Sequence, residues 1–153
     1  MKYTFLLLVS IFFMSCSVDD PKEIDYKAKN DKEILAFIED NDLVATKTST
    51  GLYYVINKEG TGVQPIYNSN VTVKYTGWFL NGTMFDENNI EAGYSTFLSE
   101  VIPGWTEGIP YFKEGGKGLL LIPAHLAYGN FDYKGIPGGS VLLFQINLVS
   151  VNN

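Results

Sequence analysis

The chain has 153 residues, which is enough for one ordinary domain. Its single Cys excludes an internal disulfide and a Cys-rich zinc site, and its single His argues against a multi-His metal site. All 11 basic residues are Lys, and 17 acidic residues bring the formal net charge to −6, which argues against nucleic acid as a partner.

The first segment has the pattern of an export signal. Met1-Lys2 is followed by an apolar run at residues 5–14, which is shorter than the roughly 20 residues of a membrane-spanning helix. The run ends in Met14-Ser15-Cys16, which resembles a bacterial lipobox. We interpret residues 1–15 as a lipoprotein signal peptide and Cys16 as the lipid-attachment residue. An ordinary signal peptide with a free Cys is the alternative.

The next segment is polar and acidic, and we predict that residues 16–29 form a flexible tether. Acidic residues directly after a lipidated Cys also resemble surface-export signals, so the membrane face is left open. A short helix is predicted over residues 30–41, with Asn30 or Asp31 as its N-cap. Its apolar stripe consists of Ile34, Leu35, Phe37 and Ile38. Residues 45–51 are predicted to be a connection.

After Gly51 the composition changes to that of β-strands. The candidate strands are residues 52–56, 71–76 with 78–79, 83–85, 119–122 and 141–151. Asn81-Gly82 predicts a tight hairpin turn. A short helix is expected near residues 104–112 and should end or kink at Pro110. The pattern predicts an α+β fold, in which an antiparallel sheet of about five strands curls around one short α-helix and is preceded by a short N-terminal helix.

Five sequence blocks carry a family resemblance. They are VTVKYTGWFLNGTMFD (71–86), VIPGWTEGI (101–109), GGKGLLLIPAHLAYG (115–129), GIPGG (135–139) and VLLFQINLVSV (141–151). In this order they resemble FKBP-type peptidyl-prolyl cis–trans isomerases over residues 51–151. The resemblance implies an FKBP-like isomerase domain at residues 51–153, preceded by the short helix and its connection at residues 30–50.

The resemblance also implies a site for proline. The residues it places as catalytic are Tyr75, Phe85, Asp86, Trp105, Tyr128 and Phe144, with Trp105 as the floor of the pocket. The residues it places as substrate-binding are Tyr94, Val101, Ile102, Tyr133 and Ile136. No cofactor or metal is expected, because rotation about an amide bond makes and breaks no covalent bond. Without the resemblance, the aromatic residues would be interpreted as ordinary core.

Two departures from the family pattern affect the site. No Arg lies between Asp86 and Val101 to pair with the pocket carboxylate, so Asp86 bonds to Tyr75, bonds to Tyr128 or is solvated. On the next strand, Tyr94 takes the first of two aromatic positions, whereas Thr96 takes the second. Phe97 is one residue out of phase and should face the opposite side.

The predicted function is a peptidyl-prolyl cis–trans isomerase that assists the folding of exported proteins in the bacterial cell envelope. Its expected partners are proline-containing polypeptides and unfolded exported proteins, with macrolides as candidate inhibitors. It is expected to be a monomer that is attached to the membrane through the lipid. The alternatives are a chaperone or proline-peptide binding module of the same fold with little turnover, and an inert envelope scaffold.

Overall fold

The computed structural model describes residues 25–153. The predicted signal peptide and Cys16 lie outside this range. None of the helices within it has the length and hydropathy of a membrane span. The helices are α1 (Tyr26–Asp40) and α2 (Pro103–Gly108), with short 3₁₀ turns at Leu98–Glu100, Ile109–Tyr111 and Ala124–Leu126. The strands are β1 (Thr46–Lys47), β2 (Tyr53–Lys58), β3 (Asn70–Phe79), β4 (Met84–Asn88), β5 (Tyr94–Phe97), β6 (Lys117–Ile122) and β7 (Leu142–Asn152).

The seven strands form one antiparallel sheet in the order β1-β2-β6-β7-β3-β4, with β5 also paired to β3. The prediction of about five strands was therefore too low, although the α+β fold with an antiparallel sheet is confirmed. The ten-residue β3 pairs with β5 through its first half and with β4 through its second half. β1, which was predicted as part of a connection, consists of two exposed polar residues. A strand of this kind cannot be predicted from the sequence, because it lacks the alternation of apolar and polar residues that indicates a strand.

The two helices cover opposite faces of the sheet. Alternate side chains of β6 and of β7 belong to the main core, together with Trp105 of α2. Leu120 on β6 and Phe144 on β7 are examples. Leu121, the next residue of β6 after Leu120, points to the other face and belongs to a second cluster with Ile34 of α1. Strand periodicity accounts for this division, because successive side chains point to opposite faces.

The start of α1 differs from the prediction. The helix begins at Tyr26, and the Asp25 carboxylate caps it by accepting hydrogen bonds from the N–H groups of Lys27 and Ala28 at 3.0 and 3.2 Å. Neither Asn30 nor Asp31 is the N-cap, and residues 26–29 are helical although they were assigned to the tether. Residues 27–29 are exposed, so the apolar stripe begins only after the first turn.

The other local predictions agree with the structure. Asn81-Gly82 turns β3 into β4, with Gly82 at φ +84° and a hydrogen bond of 2.9 Å from the Phe79 N–H to the Thr83 carbonyl. α2 ends at Gly108, and the chain continues as the 3₁₀ turn that contains Pro110. Since proline removes a backbone donor from the helical ladder, this is where the regular helix is expected to stop.

Candidate active site

A cavity of about 350 Å³ opens between α2, β3, β4 and the loop after β6. Its lining residues are Tyr75, Asp86, Tyr94, Glu100, Val101, Ile102, Trp105, Tyr128 and Phe144. Eight of the eleven predicted site residues therefore surround one space. Glu100 was missed, because an acidic residue in a short 3₁₀ turn carries neither an aromatic nor a periodic signal.

Aromatic rings form the base of this cavity. Trp105 is only 4 % exposed, and its ring centroid lies 4.9 Å from that of Tyr75 and 5.3 Å from that of Phe144. Both contacts are nearly perpendicular, at 84° and 82°, which is a favourable geometry for aromatic pairs. Within the described residues, the buried indole N–H of Trp105 has no hydrogen-bond partner. The base of the cavity is thus formed by closely packed aromatic rings, with one polar group, the indole N–H, that has no partner in residues 25–153.

The start of α2 sets the position of Trp105. Ile102 precedes the helix in an extended conformation, and Pro103 takes the first helical position. Proline suits this position because it has the right φ and no N–H to leave unpaired. The Ile102 carbonyl then accepts the N–H of Trp105 at 2.9 Å, which begins the first turn. Val101 and Ile102 are consequently at the rim, beside the indole.

The polar part of the cavity is built on Tyr75 and Asp86. The Tyr75 hydroxyl donates a hydrogen bond of 2.8 Å to Oδ2 of Asp86, so the first of the three arrangements left open by the sequence is the one observed. Burial, followed by this hydrogen bond, raises the pKa of Tyr75 above its usual value. Burial and the nearby Asp86 carboxylate also raise the pKa of Tyr128. Both phenols therefore keep their protons at neutral pH.

The remaining predicted residues line a second, adjoining cavity of about 470 Å³. Phe85 was predicted as a residue of the proline pocket, and Tyr133 and Ile136 as substrate-binding residues on the loop above it; all three line this neighbouring space. Phe85 still contacts the first site, because its ring packs edge-to-face against Phe144 with a centroid distance of 5.5 Å. Asp86 and Tyr128 line both cavities and so join them. The sequence could not predict which of these residues line which cavity, because that depends on where each side chain points in the folded protein.

Tyr133 and Ile136 belong to the loop between β6 and β7, residues 124–139, which we call the flap. At its tip these two residues exchange backbone hydrogen bonds of 2.9 Å. Lys134 and Gly135 between them have φ of +46° and +87°, as the two central residues of a type I′ turn require. The Tyr133 ring stacks on Tyr128 with a centroid distance of 4.9 Å. The tip of the flap is therefore packed against the residue that joins the two cavities.

In β5, Thr96 faces the interior and Phe97 faces the opposite side, as the sequence predicts. Thr96 is 8 % exposed, whereas Phe97 is 46 % exposed. Tyr94 lies beside the first cavity, with its ring 6.1 Å from that of Tyr75. The wall of the cavity on this side consequently has one aromatic ring from β5.

His125 is outside both cavities, and its Nε2 lies 2.9 Å from the Thr50 carbonyl oxygen. Within residues 25–153, no cluster of three His, Cys, Asp or Glu side chains has a geometry that would hold a metal ion. The first cavity offers hydroxyl groups, the carboxylates of Asp86 and Glu100, and aromatic surface. This combination suits a small flat apolar ring with adjacent amide groups.

Comparisons with known proteins agree with this geometry. Residues 62–149 match the model of the family described as FKBP-type peptidyl-prolyl cis-trans isomerase. A protein of Neisseria meningitidis serogroup B named "Probable FKBP-type peptidyl-prolyl cis-trans isomerase FkpA" is 43% identical over 134 residues, which cover 83% of this chain and 48% of that protein. The chain thus spans about half the length of the curated relatives it matches.

Two solved structures are similar in fold. The crystal structure of FkpA from Escherichia coli matches with a TM-score of 0.75 and 37% identity, covering 84% of this chain and 60% of that one. A peptidyl-prolyl cis-trans isomerase of Pseudomonas syringae pv. tomato matches with a TM-score of 0.71 and 26% identity, covering 87% of this chain and 100% of that one. Since the family model covers more than half of the chain, this protein belongs to the FKBP-type peptidyl-prolyl cis–trans isomerase family.

Proposed function

We propose that this protein is a peptidyl-prolyl cis–trans isomerase that acts on X–Pro bonds of exported polypeptides. The observation that supports this most directly is the cavity based on Trp105, whose base of packed aromatic rings offers an apolar surface with room for a proline ring. Proline is itself an apolar ring with an attached amide, so the chemistry of the cavity matches that of the substrate.

The reaction needs no nucleophile or metal. Rotation about the amide loses resonance at a barrier of about 18–20 kcal/mol, which makes the uncatalysed X–Pro exchange slow. A catalyst has only to bind the twisted amide more tightly than the planar one. Each increment of about 1.4 kcal/mol in that preference raises the rate tenfold. An apolar base with a few fixed donors at the rim is suited to this task.

We assign roles to individual residues on this basis. Trp105, Tyr75 and Phe144 hold the proline ring. The backbone N–H of Ile102 and the hydroxyl of Tyr128 are donors to the carbonyl groups on either side of it. Asp86 orients the Tyr75 hydroxyl by accepting its hydrogen bond.

The experiment that tests this proposal measures cis–trans exchange of a short peptide with one X–Pro bond in the presence of the full chain. Trp105→Leu should lower kcat/KM by at least about tenfold, because it removes about 1.4 kcal/mol or more of transition-state binding. The matched control is Phe112→Leu, since Phe112 is an equally buried aromatic residue of the same core that does not line the cavity. An exchange rate equal to that of the peptide alone would overturn the proposal.

The location of the activity is a further part of the proposal. The Met14-Ser15-Cys16 motif supports a lipid anchor on Cys16 and hence a place in the bacterial cell envelope. Mass spectrometry of the protein recovered from bacterial membranes should show a lipid-modified Cys16 as the first residue. The Cys16→Ser variant should lose that mass and leave the membrane fraction. Detection of an unmodified thiol at Cys16 would contradict the anchor.

A chaperone with little turnover is the second candidate. Large apolar side chains around the two cavities favour it, since Phe131 is 84 % exposed and Met84 is 51 % exposed. Met84 lines the second cavity and Phe131 belongs to the flap, so both offer exposed apolar surface to an unfolded chain. This function predicts that the protein suppresses aggregation of an unfolded client while the X–Pro exchange rate stays at the uncatalysed value. Aggregation that is unchanged by the protein would exclude it.

A further inference from the structure

We infer that α1 holds the flap in place over the proposed site, and that Asn30 is the positioning residue. The inference rests on the proposed function, because it gives the flap a role in substrate binding. α1 lies outside residues 62–149, which match the family model. It is also on the face of the sheet opposite to α2, so it contacts neither Trp105 nor the base of the cavity.

The first observation is the burial and bonding of Asn30. This side chain is 0 % exposed, although it is polar and belongs to a helix whose neighbouring residues are largely exposed. Its Oδ1 accepts a hydrogen bond from the N–H of Ala124 at 2.9 Å. Its Nδ2 donates to the carbonyl of Gly139, also at 2.9 Å. One amide group thus binds the first and the last residue of the flap.

The two ends of the flap are also bonded through Gly129. The Gly129 N–H donates to the Ala124 carbonyl at 2.8 Å, and the Gly139 N–H donates to the Gly129 carbonyl at 2.9 Å. Ala124, Gly129 and Gly139 therefore form a narrow base, and Asn30 closes it from the other side. Tyr128, which lines both cavities, is the residue directly before Gly129.

A second contact between α1 and the base of the flap joins Tyr26 and Gly139, and it leaves room only for glycine at position 139. The ring of Tyr26 lies so close to Gly139 that a Cβ atom there would collide with it, and Gly139 has a φ of +75°. This is a conformation that residues with a side chain rarely adopt. Tyr26 and Asn30 are four residues apart, so they lie on the same side of α1. That side of the helix is fitted to the base of the flap.

α1 itself is fixed to the sheet. Ile34, one turn after Asn30, is fully buried against Tyr53, Leu121 and Val141. The Asn30 amide is oriented further by its second donor bond, to Oε2 of Glu33 at 2.9 Å. A rigid helix and an oriented amide can hold the ends of a loop at a set separation. The consequence is that Tyr128 and Tyr133 stay over the site when no substrate is bound.

The test compares Asn30→Ala with Lys32→Ala in the full chain. Asn30→Ala removes both bonds to the flap, whereas Lys32→Ala changes an exposed residue of the same helix and leaves those bonds in place. In Asn30→Ala, the amides of Ala124, Gly129 and Gly139 should exchange with solvent about tenfold faster or more, while those of β3 and β7 keep their protection. In Lys32→Ala the three flap amides should stay close to wild type.

The kinetic readout separates positioning from a general loss of structure. We expect Asn30→Ala to raise KM for the proline peptide about fivefold or more and to leave kcat within about twofold, because the base of the cavity is intact. Unchanged flap exchange in Asn30→Ala, or the same increase in both variants, would overturn the inference. If the wild type shows no turnover, the proposed function fails, and the inference is then decided by the amide exchange together with peptide binding followed by Trp105 fluorescence.

Discussion

Tyr75 combines the aromatic and the polar parts of the site in one side chain. Its ring packs against Trp105, and its hydroxyl donates to Asp86 at 2.8 Å. The family resemblance leads to the expectation of an Arg partner for this carboxylate, and the chain has none. The Tyr75 phenol takes that place, and its pKa is raised mainly by burial. A neutral hydroxyl can donate a hydrogen bond to Asp86, but it cannot form the ion pair that an Arg would form.

At this scale we predict the effect of removing the hydroxyl. Tyr75→Phe should lower kcat/KM about fivefold, because the net contribution of a typical intramolecular hydrogen bond is about 1 kcal/mol. Asp86→Asn serves as the control, since its amide oxygen still accepts from the Tyr75 hydroxyl. It should cost less than Tyr75→Phe if orientation of the phenol is what matters, and a larger cost would indicate that the charge matters more.

Among the elements, α1 is held to the sheet by a polar contact as well as by Ile34. The Asp31 carboxylate accepts a hydrogen bond of 2.8 Å from the Tyr53 hydroxyl on β2 and forms an ion pair with Lys47 on β1. The hydrogen bonds from Lys47 and then from Tyr53 lower the pKa of Asp31 below its ordinary value of 3.8. The short β1 thus has a function in the fold, because it supplies the cation that fixes the helix.

The lowered pKa predicts a pH dependence. A carboxylate whose pKa is depressed by folding contributes stability above its unfolded pKa, and this contribution is lost as the pH falls through the folded value. The free energy of unfolding should therefore be lower in Asp31→Asn than in wild type at pH 7, and the difference should shrink below about pH 4. Denaturant titrations at several pH values measure it, with Asp40→Asn on the exposed side of α1 as control. A difference that does not change with pH would contradict this assignment.

A second prediction at this scale concerns the approach of α2 to the sheet. A Cβ atom at Gly104 would collide with the Ile122 side chain on β6. Gly104→Ala should consequently lower the free energy of unfolding by about 1–3 kcal/mol. Ile122→Ala removes the atoms that collide. The loss of unfolding free energy in the double variant should therefore be smaller than the sum of the two single losses by at least about 0.5 kcal/mol. Strict additivity in thermal or denaturant unfolding would show that the close contact is not the cause.

For the whole molecule, the free edges of the sheet bear on association. β1 at one edge has two exposed polar residues. The other edge consists of β4, which carries Asp86 and Glu87, and of β5, which is only four residues long. Short or charged edge strands discourage pairing with a second copy, because they offer little apolar surface to cover. The described part of the chain therefore favours the monomer that the sequence predicts.

The corresponding measurement is sedimentation equilibrium of the full chain. We expect the mass of one chain, with no change as the protein concentration is raised. A mass that increases toward two chains would contradict the prediction and would indicate an interface involving other surfaces. Its position could then be found by comparing amide exchange at low and high concentration.

Much of this protein follows from local sequence patterns. Asn81-Gly82 predicts the hairpin because only a few residue types adopt the required positive φ. The opposite exposure of Thr96 and Phe97 follows from the two-residue period of a strand. The sequence blocks likewise identify the residues around Trp105, since each block is a short continuous segment.

Other features depend on contacts between distant parts of the chain, and only the tertiary structure decided them. Asn30 resembles a helix cap in the sequence, but it is bonded to residues 94 and 109 positions away, which no local pattern can indicate. The separation of Phe85, Tyr133 and Ile136 from the first cavity has the same origin. The backbone conformation of a turn or strand depends on a few consecutive residues, so the sequence specifies it. The partners of a buried polar or aromatic side chain depend on packing, which exists only once the chain has folded.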